Sequence, residues 1–400
     1  MPVYPTRDPE ALEAALRHLR DAPWVRLEGA PETERALEAF HGGGHAWFIS
    51  SGTAALEAIM LGHGIGPGDE VISSPYTWGA TISAILAIGA IPVFADIDRS
   101  TGLLDARTVE TCITPRTRAI LTVHLFGLVS DLRSLAAIAD KHSLLLLEDG
   151  SQAHGARLDG VPVGRGGAAS AFSCMGMKLL AGTEGGYALF RDAEAAEAAK
   201  LYGQHPRGLE AEQVKRLGEA GLLDTLQLGW RPCSVSAELV RAKLPKLDGE
   251  ISARRRNVAR LRELLAGAPN LIFPEELPGS EGAWHLLSIA LEDVGNGFPR
   301  AAFLRKLQTT GAGAFVYIPT PIHRMPRLNP HGYAGPRVFW HEGLRQAGVD
   351  YRDTHCPEAE WRSAHSFEMV FNWTVDNPAA MEQLAACLRW AADPATGTDF

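Results

Sequence analysis

Between about residues 45 and 190 the chain alternates short apolar runs with longer stretches in which apolar residues recur every three or four positions. The runs fall at Trp47 to Ile49, Glu70 to Ile72, Ile91 to Phe94, Ala119 to Val123, Leu144 to Leu147, Ser170 to Ser173 and Tyr187 to Phe190, and each predicts a strand. Stretches such as "TAALEAIMLGHG" and "LRSLAAIADKH" between them predict amphipathic helices, closed by a glycine or a short polar turn. Strand and helix in alternation predict an α/β fold with a mostly parallel seven-stranded sheet covered by helices. Leu144 to Leu147 are apolar without alternation, as expected of a strand buried on both faces.

After residue 200 the pattern changes. Residues 203 to 232 hold few strand signals, and "AELVRAKLPKLDGEISARRRNVARLRELLAG" predicts helix, bent or interrupted near Pro245. "WHLLSIAL" predicts a strand, "PRAAFLRKLQTTG" a helix, "GAFVYIP" a strand and "PAAMEQLAACLRWAA" a closing helix. Together they predict a smaller C-terminal α+β domain. The expected division is 1–250 for the large domain, with an N-terminal arm, and 251–400 for the small one, whose tail "DPATGTDF" is expected to be loose.

Composition narrows the function classes. With 46% apolar and 21% charged residues the 400-residue chain has the make-up of a soluble globular protein. A net charge of −9 argues against nucleic acid as a partner, because phosphate binding needs a concentrated basic face. The arginines of "ARRRNVARLREL" are expected on the wet side of a helix whose apolar side carries Ile251, Val258, Leu261 and Leu265. Cys112, Cys174, Cys233, Cys356 and Cys387 are scattered without a CxxC pair, so free thiols in a reducing compartment are expected. No stretch approaches the length of a membrane span, the histidines lack metal-ligand spacing, and a cytoplasmic location without metal is expected.

Three stretches carry chemistry. "SSGTAAL" places hydroxyls and a glycine between the first strand and the first helix; this arrangement suits phosphate, although Ser and Thr more often cap ordinary helices. "EDGSQAHG" ends the four-leucine strand on Glu148 and Asp149, at the strand edge where ligands of α/β sheets bind; Asp149 either meets a buried positive group or caps the next turn. "AFSCMGMKLLAGTEGG" places Lys178 after a later strand among small and sulfur-bearing residues, where it is either an amine nucleophile or a lysine with its head in water. Phosphate anchor, acid and lysine in that order resemble a fold-type I enzyme of pyridoxal 5′-phosphate (PLP).

Longer stretches sharpen the resemblance. "GIGPGDEVISSPYTWGATISAILAIGAIPVFADID", "ITPRTRAILTVHLFG", "LLLLEDGSQAHGA", "AFSCMGMK" and "TEGGYALF" resemble, in order and spacing, the DegT/StrS family of PLP-dependent sugar and aminocyclitol aminotransferases, over about residues 25 to 265. The resemblance implies that Lys178 carries the cofactor and moves the proton, Asp149 holds the ring nitrogen and Gln152 the ring's phenolic oxygen. It implies that Gly52, Thr53 and Ser173 hold the phosphate, that Trp78 stacks on the ring, and that Gly185 and Gly186 let backbone approach closely. Tyr317, His323 and Arg324 are candidate substrate contacts, whereas His124 and His154 are expected to be hydrogen-bonded core histidines. Two departures stand out. Ser51 replaces the family's Asn, and Gly229 in "QLGWRPCS" stands where the family's Asn reaches the neighbouring subunit's phosphate, leaving Trp230 or Arg231 to substitute or the contact to be lost.

The implied activity is transfer of an amino group from glutamate or glutamine to a nucleotide-linked keto-sugar or a keto-cyclitol, in sugar or secondary-metabolite biosynthesis, by a homodimer with shared active sites. "YIPTPIHRMPRL" with "CPEAEW" leans towards the cyclitol branch. The alternatives are an eliminating enzyme of the same family and a non-catalytic partner protein. The family's sugar dehydratases carry His in place of the lysine, and an inactive partner is expected to have lost Lys178 or Asp149; both are present.

Overall fold

A computed structural model describes residues 8–21, 30–203, 209, 211–219, 226–268, 270–292 and 300–393. Its strands are β1 (His45–Ile49), β2 (Glu70–Ser73), β3 (Ile91–Phe94), β4 (Thr117–Val123), β5 (Leu145–Asp149), β6 (Arg157–Leu158), β7 (Val161–Pro162), β8 (Ala169–Ser173), β9 (Gly186–Phe190), β10 (Leu271–Ile272), β11 (Ser280–Glu281), β12 (Leu286–Leu291) and β13 (Ser366–Val370). The main sheet has seven strands in the order β1-β9-β8-β5-β4-β2-β3, and all seven predicted runs are in it. Only β9 runs against its neighbours, β1 and β8. The run of leucines becomes β5, flanked by β4 and β8 and covered on both faces. Its carboxyl end, with those of β4 and β8, forms one edge of the sheet.

At that edge the chain leaves β1 and turns at once into helix Gly52–Gly62. Ser51 caps the helix, its Oγ accepting the Ala54 N–H at 3.0 Å. Residue 52 must be small: a Cβ there would lie 2.7 Å from the Cβ of Ser173, at the end of β8. A Cβ at Gly186 would likewise sit 2.5 Å from the Gly52 nitrogen, so the glycines let β1, β8 and β9 deliver their ends to one place.

The C-terminal part builds a second sheet, β10-β12-β13, with helices Arg300–Thr309 and Pro378–Ala392. Pro245 occupies a short 3₁₀ turn, Leu244–Lys246, between helices Ser234–Lys243 and Leu247–Leu264, where the interruption was expected. The second of these helices runs unbroken through residue 250. Its arginines differ from expectation. Arg254 is only 3% exposed, and its guanidinium donates to the carbonyls of Trp284 and Phe371 and to Asn372 Oδ1. Arg255 donates to Gly155 O and Gly282 O, while Arg256 pairs with Asp376 at the surface. The face carrying Arg254 meets strand-end carbonyls, which need donors once buried. The segment "GAFVYIP" is not a full strand: Phe315 makes an isolated bridge to Glu368 of β13. Residues 394–400 of the tail lie outside the described residues.

Candidate active site

The sheet edge opens on a cavity of about 410 Å³, lined by Gly52, Thr53, Trp78, Asp149, Gln152, Ser173, Lys178 and Tyr317 among others. Gly52 and Thr53 present the amino end of their helix, with the hydroxyl of Ser173 opposite. A helix start with hydroxyls beside it is an arrangement able to hold an anion.

The two acids that end β5 separate by face. Glu148 turns away from the cavity and accepts from His124 Nε2 at 3.0 Å, Gly164 N–H at 3.0 Å and Gly167 N–H at 2.7 Å. Burial pushes its pKa up, but His124 and the two amides outweigh burial and hold it below the usual carboxylate value. Asp149 faces the cavity. Its Oδ1 accepts the Ser151 N–H at 3.1 Å, the turn contact, and its Oδ2 accepts the Thr81 hydroxyl at 2.8 Å. Thr81 Oγ1 in turn lies 3.2 Å from Thr77 Oγ1, so the first turn of helix Gly79–Ala87 fixes the carboxylate.

Lys178 follows β8 and reaches into the same cavity. Burial lowers its pKa, Asp149 opposing in part, and its ammonium makes no ion pair among the described residues. Gln152 accepts the Phe126 N–H on Oε1 at 2.7 Å and donates from Nε2 to Tyr317 Oη at 3.0 Å. Tyr317 is held by Glu368, whose Oε2 accepts its N–H at 2.7 Å, and its ring lies 5.2 Å from that of Trp78. Trp78 stands at the mouth, 55% exposed.

Other candidates lie elsewhere. His323 and Arg324 do not line the cavity; the turn Ile322–Arg324 directs both onto Glu360, with His323 Nε2 3.0 Å and Arg324 Nε 2.9 Å from its Oε1. His124 is the expected hydrogen-bonded core histidine, its second nitrogen accepting the Ser130 N–H. His154 is buried against Phe172 and Tyr187, but neither ring nitrogen has a partner among the described residues, and burial lowers its pKa to about 3. Gly229 is exposed with φ +70°, Trp230 is buried against Trp47, and Arg231 is exposed. Trp230 is therefore committed to the core, and Arg231 is the one of the two that is exposed and has no side-chain partner among the described residues.

Thr81 and His285 line the cavity without having been singled out from sequence. Thr81 had a usable signal, one helical turn after Trp78; His285 had none, lying beside a strand whose apolar run hides it. Among the described residues no group of His, Cys, Asp and Glu could hold a metal ion, all five cysteines are free, and no helix is long and apolar enough to cross a membrane.

The mostly parallel, helix-covered sheet is that of the fold-type I PLP enzymes. The chain belongs to the DegT/DnrJ/EryC1/StrS aminotransferase family, whose model matches residues 6–338. It is 39% identical over 274 residues to an L-glutamine:2-deoxy-scyllo-inosose aminotransferase of Streptomyces lividus, covering 66% of this chain and 64% of the relative, so it spans just under two thirds of that protein's length. It is 35% identical over 336 residues to the Micromonospora echinospora enzyme of the same name, 80% of each chain. Among solved structures it is similar to DesV of S. venezuelae (TM-score 0.81, 28% identity, 96% of this chain and 94% of that one) and to 3-amino-5-hydroxybenzoic acid synthase (TM-score 0.82, 26%, 98% of each).

Proposed function

We propose that this protein is a PLP-dependent aminotransferase that moves an amino group from glutamine or glutamate to a keto-cyclitol. The observation that carries the reading is Lys178: a buried amine with lowered pKa, without an ion pair, in one cavity with Asp149 and an anion cradle. The residues fit the cofactor. Gly52, Thr53 and Ser173 would hold its phosphate, Asp149 its ring nitrogen, Gln152 its phenolic oxygen and Trp78 its ring face. Bound PLP supplies an aldehyde that carries the amino group and a ring that draws electrons from the reacting carbon. Lys178 would attach the cofactor through its amine and, once freed, would be the base that takes up and hands on the proton of the donor carbon. Thr81 and Ser151 keep Asp149 in one orientation, and the Tyr317 and Trp78 rings exclude water from the mouth.

A neutral polyol suits this cavity better than a nucleotide-linked sugar. Among the described residues that line it, Lys178 is the one cationic side chain and Glu184 adds negative charge, so a diphosphate finds no further counter-charge among those residues. The similarity to enzymes named for 2-deoxy-scyllo-inosose supports the same class of acceptor. A second reading, an eliminating or aromatising enzyme that keeps the lysine, draws on the similarity to 3-amino-5-hydroxybenzoic acid synthase. The assembly we propose is a cytoplasmic homodimer with sites at the interface, in which 1–250 binds the cofactor, 251–400 forms the smaller unit and Arg231 takes the place of the cross-subunit Asn. Incubation with glutamine and a polyhydroxylated cyclohexanone, followed by mass spectrometry, tests the reading. An amine in place of the ketone supports it, and a product lacking water would favour the second reading instead.

A further inference from the structure

His285 is the polar group in the cavity that nothing so far employs. It precedes β12 and is 6% exposed, and neither ring nitrogen has a hydrogen-bond partner among the described residues. Buried polar atoms are rarely left unsatisfied, so an imidazole directed into a cavity implies a partner in whatever fills it. The backbone fixes its place. Gly127 has φ +92°, and a Cβ there would lie 2.8 Å from the backbone nitrogen of His285 and 3.0 Å from the Gln152 carbonyl. The backbone of His285 is thereby set close to that of Gln152, and both residues line the cavity that holds Lys178. Burial first, then the charges of Lys178 and Arg254 and the neighbouring His154, lower its pKa well below the usual value. At neutral pH it is therefore an uncharged ring with one donor and one acceptor.

We propose that His285 determines acceptor specificity by hydrogen-bonding a hydroxyl next to the keto carbon of a polyhydroxylated cyclic ketone. One donor and one acceptor match a hydroxyl group, which offers the same pair. A neutral ring also leaves the Lys178 amine unrepelled. The glutamine half-reaction does not involve the acceptor hydroxyl and so serves as the internal control. This inference rests on the aminotransferase reading and assigns a residue to acceptor recognition within it.

The test uses the full-length holoenzyme, His285→Phe, His285→Asn and two ketones, scyllo-inosose and unsubstituted cyclohexanone. The wild type must first lose its visible cofactor absorbance on adding glutamine; if it does not, the aminotransferase reading itself fails. Given that signal, His285→Phe should keep the glutamine half-reaction and the slow cyclohexanone reaction within about twofold, and lose about tenfold or more in kcat/KM for scyllo-inosose. His285→Asn, which keeps a donor and an acceptor, should recover part of that loss. Calorimetric binding of scyllo-inosamine to the pyridoxal-loaded Lys178→Ala protein, with and without His285→Phe, reads the same contact without turnover and should weaken about tenfold. Equal losses with both ketones, or unchanged scyllo-inosose kinetics in a variant that melts like the wild type, would overturn the proposal.

Discussion

At the scale of single residues, the site depends on which face of a strand end each side chain takes. Glu148 and Asp149 are adjacent, yet the alternation along β5 sends one to His124 and the other to the cavity. Thr81→Val removes the hydroxyl on Asp149 Oδ2 without changing the shape of the helix start. Cofactor affinity, followed by fluorescence titration of the apoprotein, should fall about tenfold, and Thr81→Ser should restore most of it. That Asp149 and Lys178 are special could be read from their places after apolar strands. The hydrogen bonds that orient them could not, because Thr81 is 68 residues from Asp149 along the chain. His285 was illegible for a related reason. Its neighbours Trp284 and Leu286 announce a strand, and only tertiary packing shows the cavity.

At the scale of elements, the meeting of helix Gly52–Gly62 with β8 leaves no room for a methyl group. Gly52→Ala should lower the melting temperature by the equivalent of about 1–3 kcal/mol and weaken cofactor binding with it, since the same backbone forms the anion cradle. In the second sheet, Glu368 on β13 holds Tyr317 and Ser288, and burial raises its pKa to about 7 from the usual 4.5. A carboxyl with raised folded pKa favours the folded state when protonated. Its contribution is present below pH 4.5 and lost as pH rises through about 7. Melting Glu368→Gln and wild type side by side should show the difference shifting in favour of the variant between pH 5 and pH 8. A flat difference would mean that Glu368 titrates normally. The strands of the main sheet were legible because their runs are uniformly apolar. "GAFVYIP" was over-read, as its apolar residues cover the cavity and pack on Trp78 instead of joining a ladder. β13 carries Glu368 in a buried interior position, which breaks the apolar run by which a strand is found.

At the scale of the whole molecule, helix Leu247–Leu264 is tied to the second sheet by polar contacts that sequence periodicity hides. Arg254 was expected in solvent. Burying it lets one guanidinium satisfy carbonyls before β12 and after β13, so Arg254→Met should cost on the order of 3 kcal/mol in urea unfolding, well beyond a surface substitution. Charge also acts at this scale: among the described residues the cavity walls offer one ammonium and two carboxylates, the balance on which the proposal of an uncharged acceptor rests. The fold class was legible, and so was the convergence of Gly52, Asp149 and Lys178 on one cavity, because each sits at a junction between elements. What the small domain contributes was not, since its segments reach the site only through packing.

The most direct measurement is the visible absorption spectrum of the purified protein, before and after glutamine, with Lys178→Ala alongside. A band in the wild type that is lost on adding glutamine, and never forms in its native position in Lys178→Ala, is the predicted result. A wild type that takes up no PLP, or a Lys178→Ala protein that responds to glutamine as the wild type does, would contradict the assignment of Lys178 and the function built on it.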